Sequence, residues 1–174
     1  MWFSVDIEAD GPIPGEYSMV QLGAVLIDKE GKLDSTFYTN LNPISDNYKE
    51  DALHSFNCTR EETLVYTDPM IAMQNFATWI QQVNFESRPM FLSDNNGFDW
   101  MFTCYYFHRF LGSNLFGHSS FNLGSFYKGI VQDMYKNFKH LRDTKHTHNP
   151  VDDAKGNAEA FLKIVKQYKV NPWS

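Results

Sequence analysis

Asp6 and Glu8 stand two residues apart in Phe3-Ser4-Val5-Asp6-Ile7-Glu8. In a strand such positions point to one face, with Val5 and Ile7 on the other. Two like charges about 7 Å apart on one side of a first, central strand are unfavourable unless something positive sits between them. A divalent cation held by carboxylate oxygens is the natural remedy; an edge strand with a solvated polar face is the second reading the hexapeptide allows. A further acid, Asp99, closes Asp94-Asn95-Asn96-Gly97-Phe98-Asp99 after the apolar Met90-Phe91-Leu92, at the opening of a helix. Acids at a helix start also serve as ordinary cap chemistry. The last cluster is His148-Asn149-Pro150-Val151-Asp152-Asp153-Ala154. Asn149 followed by Pro150 explains a helix start, and Asp152 fits a capping pair. Neither duty accounts for Asp153 or for His148. Imidazole titrates near neutral pH and can take a proton from an attacking water; a cap or surface histidine is the competing reading.

The elements that must position these groups follow from periodicity. Trp2 to Ile7 alternates as a strand, and Gly11-Pro12-Ile13-Pro14-Gly15 turns the chain. Met19 to Asp28 and Lys32 to Leu41 read as a hairpin pair across Glu30-Gly31 in the strand-former pattern. Asp68-Pro69 caps a helix whose Ala72, Phe76, Trp79, Ile80 and Val83 share one face. Met90 to Leu92 is a short strand, Asp99 to Leu111 and Ser125 to Phe138 are helical, and Asn149-Pro150 opens a final helix lined by Ala154, Ala158, Phe161, Leu162 and Val165. The order β-β-β-α-β-α-α-α predicts an α/β fold, a mixed sheet flanked by helices.

Composition narrows the class. The 174 residues fit one domain over 1–174, and 43 % hydrophobic with 21 % charged residues excludes wholesale disorder. No apolar run is long enough to span a bilayer and no secretory lead-in is visible, so no membrane partner is expected. Cys58 and Cys104 lack metal-type spacing and suit a reducing compartment, which predicts a cytoplasmic protein. A net charge of −6 argues against coating nucleic acid through bulk positive charge, although a metal-holding acidic site carries its positive charge on the ion. One basic stretch, Lys128, Lys136, Lys139, Arg142 and Lys145, leads into the His148 cluster. It reads either as a phosphate-contacting face or as a solvated helix face. Tyr17, Trp100 and Phe102 are candidates to stack on exposed bases, while most of Phe98 to Phe110 reads as core because its aromatic density is too high for all of it to face solvent.

Together, Asp-x-Glu in a first strand, Asn-x-x-Phe-Asp in mid-chain and His-x-x-x-x-Asp near the end resemble the three motifs of the DEDDh family of 3′-to-5′ exonucleases, which includes ribonuclease T and oligoribonuclease. The resemblance runs from Phe3 to about Phe161 and takes in Asp6-Ile7-Glu8-Ala9-Asp10-Gly11-Pro12 and Gln21-Leu22-Gly23-Ala24-Val25. It implies a ribonuclease H-like fold with a mixed central sheet of about five strands. It assigns Asp6, Glu8, Asp99 and Asp153 to the four acidic places and His148 to the histidine place. Asp10 departs from the pattern, since many relatives carry small or hydroxyl residues before the glycine. By this resemblance two divalent ions, Mg²⁺ or Mn²⁺, are bridged by Asp6. Glu8 and Asp153 hold the first, and Asp99 helps with the second. The implied reaction is metal-dependent hydrolysis from the 3′ end of single-stranded RNA or DNA, or of short oligonucleotides, releasing nucleoside 5′-monophosphates with His148 as general base. Two alternatives remain at this point: a nucleic-acid- or protein-binding module with a silent site, and a ribonuclease H-type endonuclease. Relatives are often homodimers, and the aromatic surplus offers material for such an interface.

Overall fold

The computed structural model describes residues 1–84 and 88–173. Strand β1 (Trp2–Ala9) lies at the centre of a five-stranded sheet. It pairs antiparallel with β2 (Met19–Ile27), which pairs antiparallel with β3 (Thr36–Asn40). On its other side β1 runs parallel to β4 (Met90–Ser93), and β4 parallel to β5 (Ser120–Asn122). The resulting order is β3-β2-β1-β4-β5.

Alternation along β1 feeds two apolar layers. Phe3, Val5 and Ile7 bury against α3 (Pro69–Val83) and α4 (Asn96–Tyr106), with Phe3 meeting Trp79 edge-on at 5.5 Å. Trp2 faces the opposite layer, where its ring lies 5.0 Å from Phe161 of α6 (Pro150–Gln167). Each fully buried large side chain in these layers contributes about 1.5–3 kcal/mol. The same alternation turns Asp6 and Glu8 toward the α6 side.

Helix α6 starts as its sequence dictates. The Asn149 side chain accepts from the Val151 and Asp152 amides, and Pro150 occupies the first turn, where its missing N–H costs nothing. Ala154, Ala158, Phe161, Ile164 and Val165 then seat the helix on the sheet. Gly23, the β2 partner of Asp6, makes the seating close. A Cβ there would stand 2.3 Å from the Pro150 carbonyl carbon and 2.4 Å from the Val151 nitrogen. The bare glycine therefore lets the α6 N-terminus, with Asp153, press against the sheet beside Asp6.

Several elements differ from the sequence expectation. The third strand is confined to Thr36–Asn40. Helix α4 begins at Asn96 and passes into a π-turn over Phe107–Leu111. Helix α5 spans Leu123–Val131 and stops at Gln132, whose φ of 55° breaks it; the residues to Phe138 are not helical. Short helices α1 (Glu50–Ser55) and α2 (Arg60–Thr63) and the three-residue β5 carry too little periodicity to be read from sequence.

Candidate active site

Three chain segments meet at the C-terminal end of β1. Carboxylate oxygens of Asp6, Glu8 and Asp153 lie within 4.8 Å of one another. Asp99, in the first turn of α4, lines the same cavity of about 230 Å³, as does His148. The structure thus brings together all five residues singled out by the motifs, from 147 positions apart in the chain to one pocket.

The electrostatics of this cluster are unfavourable by themselves. Burial first, and then the charges of Asp99, Glu8 and Asp153, raise the Asp6 carboxyl well above the usual range; Arg142 pulls the other way. Burial, with Asp153 and Asp99 nearby, pushes Glu8 up to about 8. Burial also lifts Asp99, against hydrogen bonding from Ser93 and the Ile7 amide. The Asp99 Oδ2 is buried without a hydrogen-bond partner among the described residues. Converging carboxylates with an orphaned oxygen are what hard divalent cations take as ligands. These residues fit such ions.

His148 sits just before α6 in the left-handed region, with φ 58°. Its Nδ1 is 3.7 Å from Glu8 Oε1, and the side chain is 45 % exposed, so the ring is open to an incoming water. Asp153 fixes this loop. Its Oδ2 accepts from the His148 amide at 3.1 Å, and its Oδ1 accepts from the Thr147 amide at 3.2 Å. Farther back, Glu159 accepts from the Asp143 and Thr144 amides and from the Thr144 hydroxyl, which pins the loop to α6.

Sequence reasoning missed His146, whose Nδ1 lies 2.7 Å from Asp153 Oδ1 and whose ring centroid is 4.3 Å from that of His148. A histidine in a polar loop carries no periodic signal; only its offset of two from His148 hinted at a shared face. Phe98 also lines the cavity unannounced. The proposed stacking residues fare differently. Phe102 is fully buried in the core, and Trp100 packs on Phe91 at 5.1 Å. The Tyr17 ring fills the space where a Gly11 Cβ would stand. Asp10 does not reach the cavity: it is buried, accepts from the Ser18 amide at 2.6 Å and pairs with Arg60 at 2.9 Å. Of the basic stretch, Lys139 and Arg142 line the cavity.

No family model matches the chain. Among characterised proteins, the 3′-5′ DNA exonuclease Cap18 of Escherichia coli is 34 % identical over 175 residues, covering 95 % of this chain and 92 % of that protein. Solved structures share the fold at lower identity. Cell-death related nuclease 4 superposes with a TM-score of 0.77 at 13 % identity, over 95 % of this chain and 64 % of the nuclease. A 3′-exonuclease that recognises the 3′ end of the histone mRNA stem-loop gives 0.76 at 12 %, over 95 % and 81 %. The zinc-bound complex of E. coli exonuclease I with single-stranded DNA gives 0.70 at 19 %, over 95 % of this chain and 40 % of exonuclease I. The chain therefore spans less than two thirds of the first and third of these structures. Identity at the level shared with Cap18, along nearly the whole of both polypeptides, is a family relationship, and the chain belongs to the DEDDh 3′-to-5′ exonucleases.

Proposed function

We propose that this exonuclease removes nucleoside 5′-monophosphates from the 3′ end of single-stranded DNA, using Asp6, Glu8, Asp99 and Asp153 to hold two divalent ions, Mg²⁺ or Mn²⁺. The reading rests on one observation above the others: three carboxylate oxygens within 4.8 Å, beside the unpartnered Asp99 oxygen. DNA is preferred over RNA because the 34 % identical relative is named for DNA. When bound, the ions would supply charge neutralisation and acidify water. Asp6, whose carboxyl feels the charges of Asp99, Glu8 and Asp153, would be the ligand the two ions share. His148 takes the proton of the attacking water. The new bond forms between that oxygen and the phosphorus of the terminal nucleotide. The bond that breaks is the one to the upstream O3′, which leaves with the electron pair and takes a proton from solvent to become the 3′ hydroxyl of the shortened strand. Asp153 keeps His148 aligned through the two loop amides.

The test is digestion of matched single- and double-stranded DNA and RNA carrying a 3′ or 5′ label. Single nucleotides from the 3′ label with a shrinking 5′-labelled ladder support the reading; internal fragments, or cleavage undiminished by EDTA, overturn it. The whole of 1–174 is proposed as one exonuclease domain in a cytoplasmic protein. No helix among the described residues is long and apolar enough to cross a membrane. A homodimer is proposed through the exposed Leu64, Val65, Met70 and Ile71 around α2 and α3, where light scattering should report twice the monomer mass.

A further inference from the structure

Arg142 is placed in an unusual way for a basic residue in an acidic chain. Its side chain is only 8 % exposed, yet it lines the cavity that holds the carboxylates. Phe138 lies under its guanidinium at 5.4 Å. Its Nη2 donates to Asp94 Oδ2 at 3.1 Å and to Asn157 Oδ1. Gly156 makes room for the stem, since a Cβ there would stand 3.1 Å from Arg142 Cδ and 2.9 Å from the Thr144 carbonyl oxygen. The guanidinium is thus held by a helix, a ring and an acid before any ligand arrives. The protein bonds found for it all run through Nη2, and the buried Nε has no acceptor among the described residues, nor has Asn157 Nδ2. A guanidinium offers five donors in a fixed fork suited to phosphate. Lys139 approaches the same Asp94 oxygen at 3.8 Å with its side chain 66 % exposed. Asp94 therefore balances one of these two cations and leaves one positive charge at the cavity wall.

We propose that Arg142 and Lys139 form a phosphate subsite that takes a backbone phosphate of the bound strand, upstream of the bond that is cut. The inference rests on the exonuclease reading above and adds to it the contact that sets how the strand is gripped. Metal-bound acids serve the reacting phosphate, while the next phosphate enters a wall that would otherwise repel it. Arg142 is preset by Asp94 and Asn157, so little side-chain freedom is lost when the strand arrives.

A neutral-linkage scan tests this. Single-stranded oligothymidylates of about ten nucleotides carry one methylphosphonate at each of the 3′-proximal linkages in turn, and KM and kcat are measured with wild type, Arg142→Gln and Lys139→Ala. At one linkage upstream of the scissile bond, neutralisation should raise the wild-type KM about 10-fold, a typical loss for one charged contact. The same change should cost Arg142→Gln less than about twofold, because the contact is already gone. Lys139→Ala should flatten the dependence of log KM on log salt by about 0.7. Equal penalties in wild type and Arg142→Gln at every linkage would overturn the subsite, as would a lower melting temperature with unchanged KM. If Arg142→Gln does not fold, Lys139→Ala decides alone: an unaltered salt slope and an unaltered linkage penalty reject the proposal. Failure of wild type to shorten unmodified DNA from its 3′ end would count against the exonuclease reading instead.

Discussion

Asp6, half-buried in β1, and Asp10, buried one residue past its end, are acids four residues apart that differ in what surrounds them. Asp10 is fully enclosed and fully partnered, by the Ser18 amide and the Arg60 guanidinium. Asp6 faces three other carboxylates and draws only distant relief from Arg142. Burial raises the pKa of both, but at Asp10 the hydrogen bonds and the Arg60 charge oppose it. The contrast separates an acid that ties the β1 end to the α1–α2 segment from one set among other carboxylates. It also gives the departure of Asp10 from the family pattern a role in the fold, outside the cavity.

The sharpest way to break the comparison is to neutralise both acids separately. If Asp6 holds the ions as proposed, Asp6→Asn should lower kcat by about 1,000-fold or more, because such a ligand acts in the transition state. Its metal-free melting temperature should not fall, since a repelling charge is gone. Asp10→Ala should keep kcat within a few-fold on the folded protein but cost about 3 kcal/mol in denaturant unfolding, the penalty for stranding one partner of a buried pair. Equal effects of the two on activity would remove the distinction. Next in size, His148→Ala should reduce kcat by about 100- to 10,000-fold, the range of general base catalysis, with calorimetric Mn²⁺ affinity unchanged. His146→Ala should weaken Mn²⁺ binding or kcat about 10-fold, as outer partners of ligands do; His146→Asn, which keeps a donor for Asp153, should restore most of it.

The smallest effect is on stability against pH. In the folded metal-free protein Glu8 holds its proton up to about 8, against an ordinary value of 4.5. Between those values the native state binds more protons than the unfolded chain, so stability falls as pH rises. The melting temperature should therefore drop by a few degrees from pH 5 to pH 8, and Mg²⁺ should restore it at pH 8. A flat profile without metal would show that the acids do not repel one another as placed.

Much of this site is legible in the sequence because its parts sit where sequence speaks most clearly. Asp6 and Glu8 alternate with Val5 and Ile7, and Asp153 follows an Asn149-Pro150 cap whose geometry is nearly forced. Helices α3 and α6 announced themselves through their apolar faces. What stayed hidden depends on long-range packing. Gly23 looks like any strand glycine until α6 is seen against it. The aromatic density of Phe98 to Phe110 already points to core, but which of its rings face inward is decided only by packing, which puts Phe102 in one layer with Phe91 and Phe116. His146 acquires meaning only when the 142–149 loop folds over the acids, and the same folding brings Arg142, already marked by its basic stretch, to the cavity wall.

Asp153 accepts from the Thr147 and His148 amides and lies 2.7 Å from His146 Nδ1, while its oxygens stand among those of Asp6 and Glu8. Substituting it by asparagine would set an amide NH₂ group against donors that need an acceptor, so the variant would lose its hold on the histidine strap as well as on an ion. An inactive protein made that way would misreport how the intact enzyme grips its strand. Asp6→Asn should silence the chemistry with the strap still moored, and it is the variant from which an undistorted complex with a bound strand should be sought.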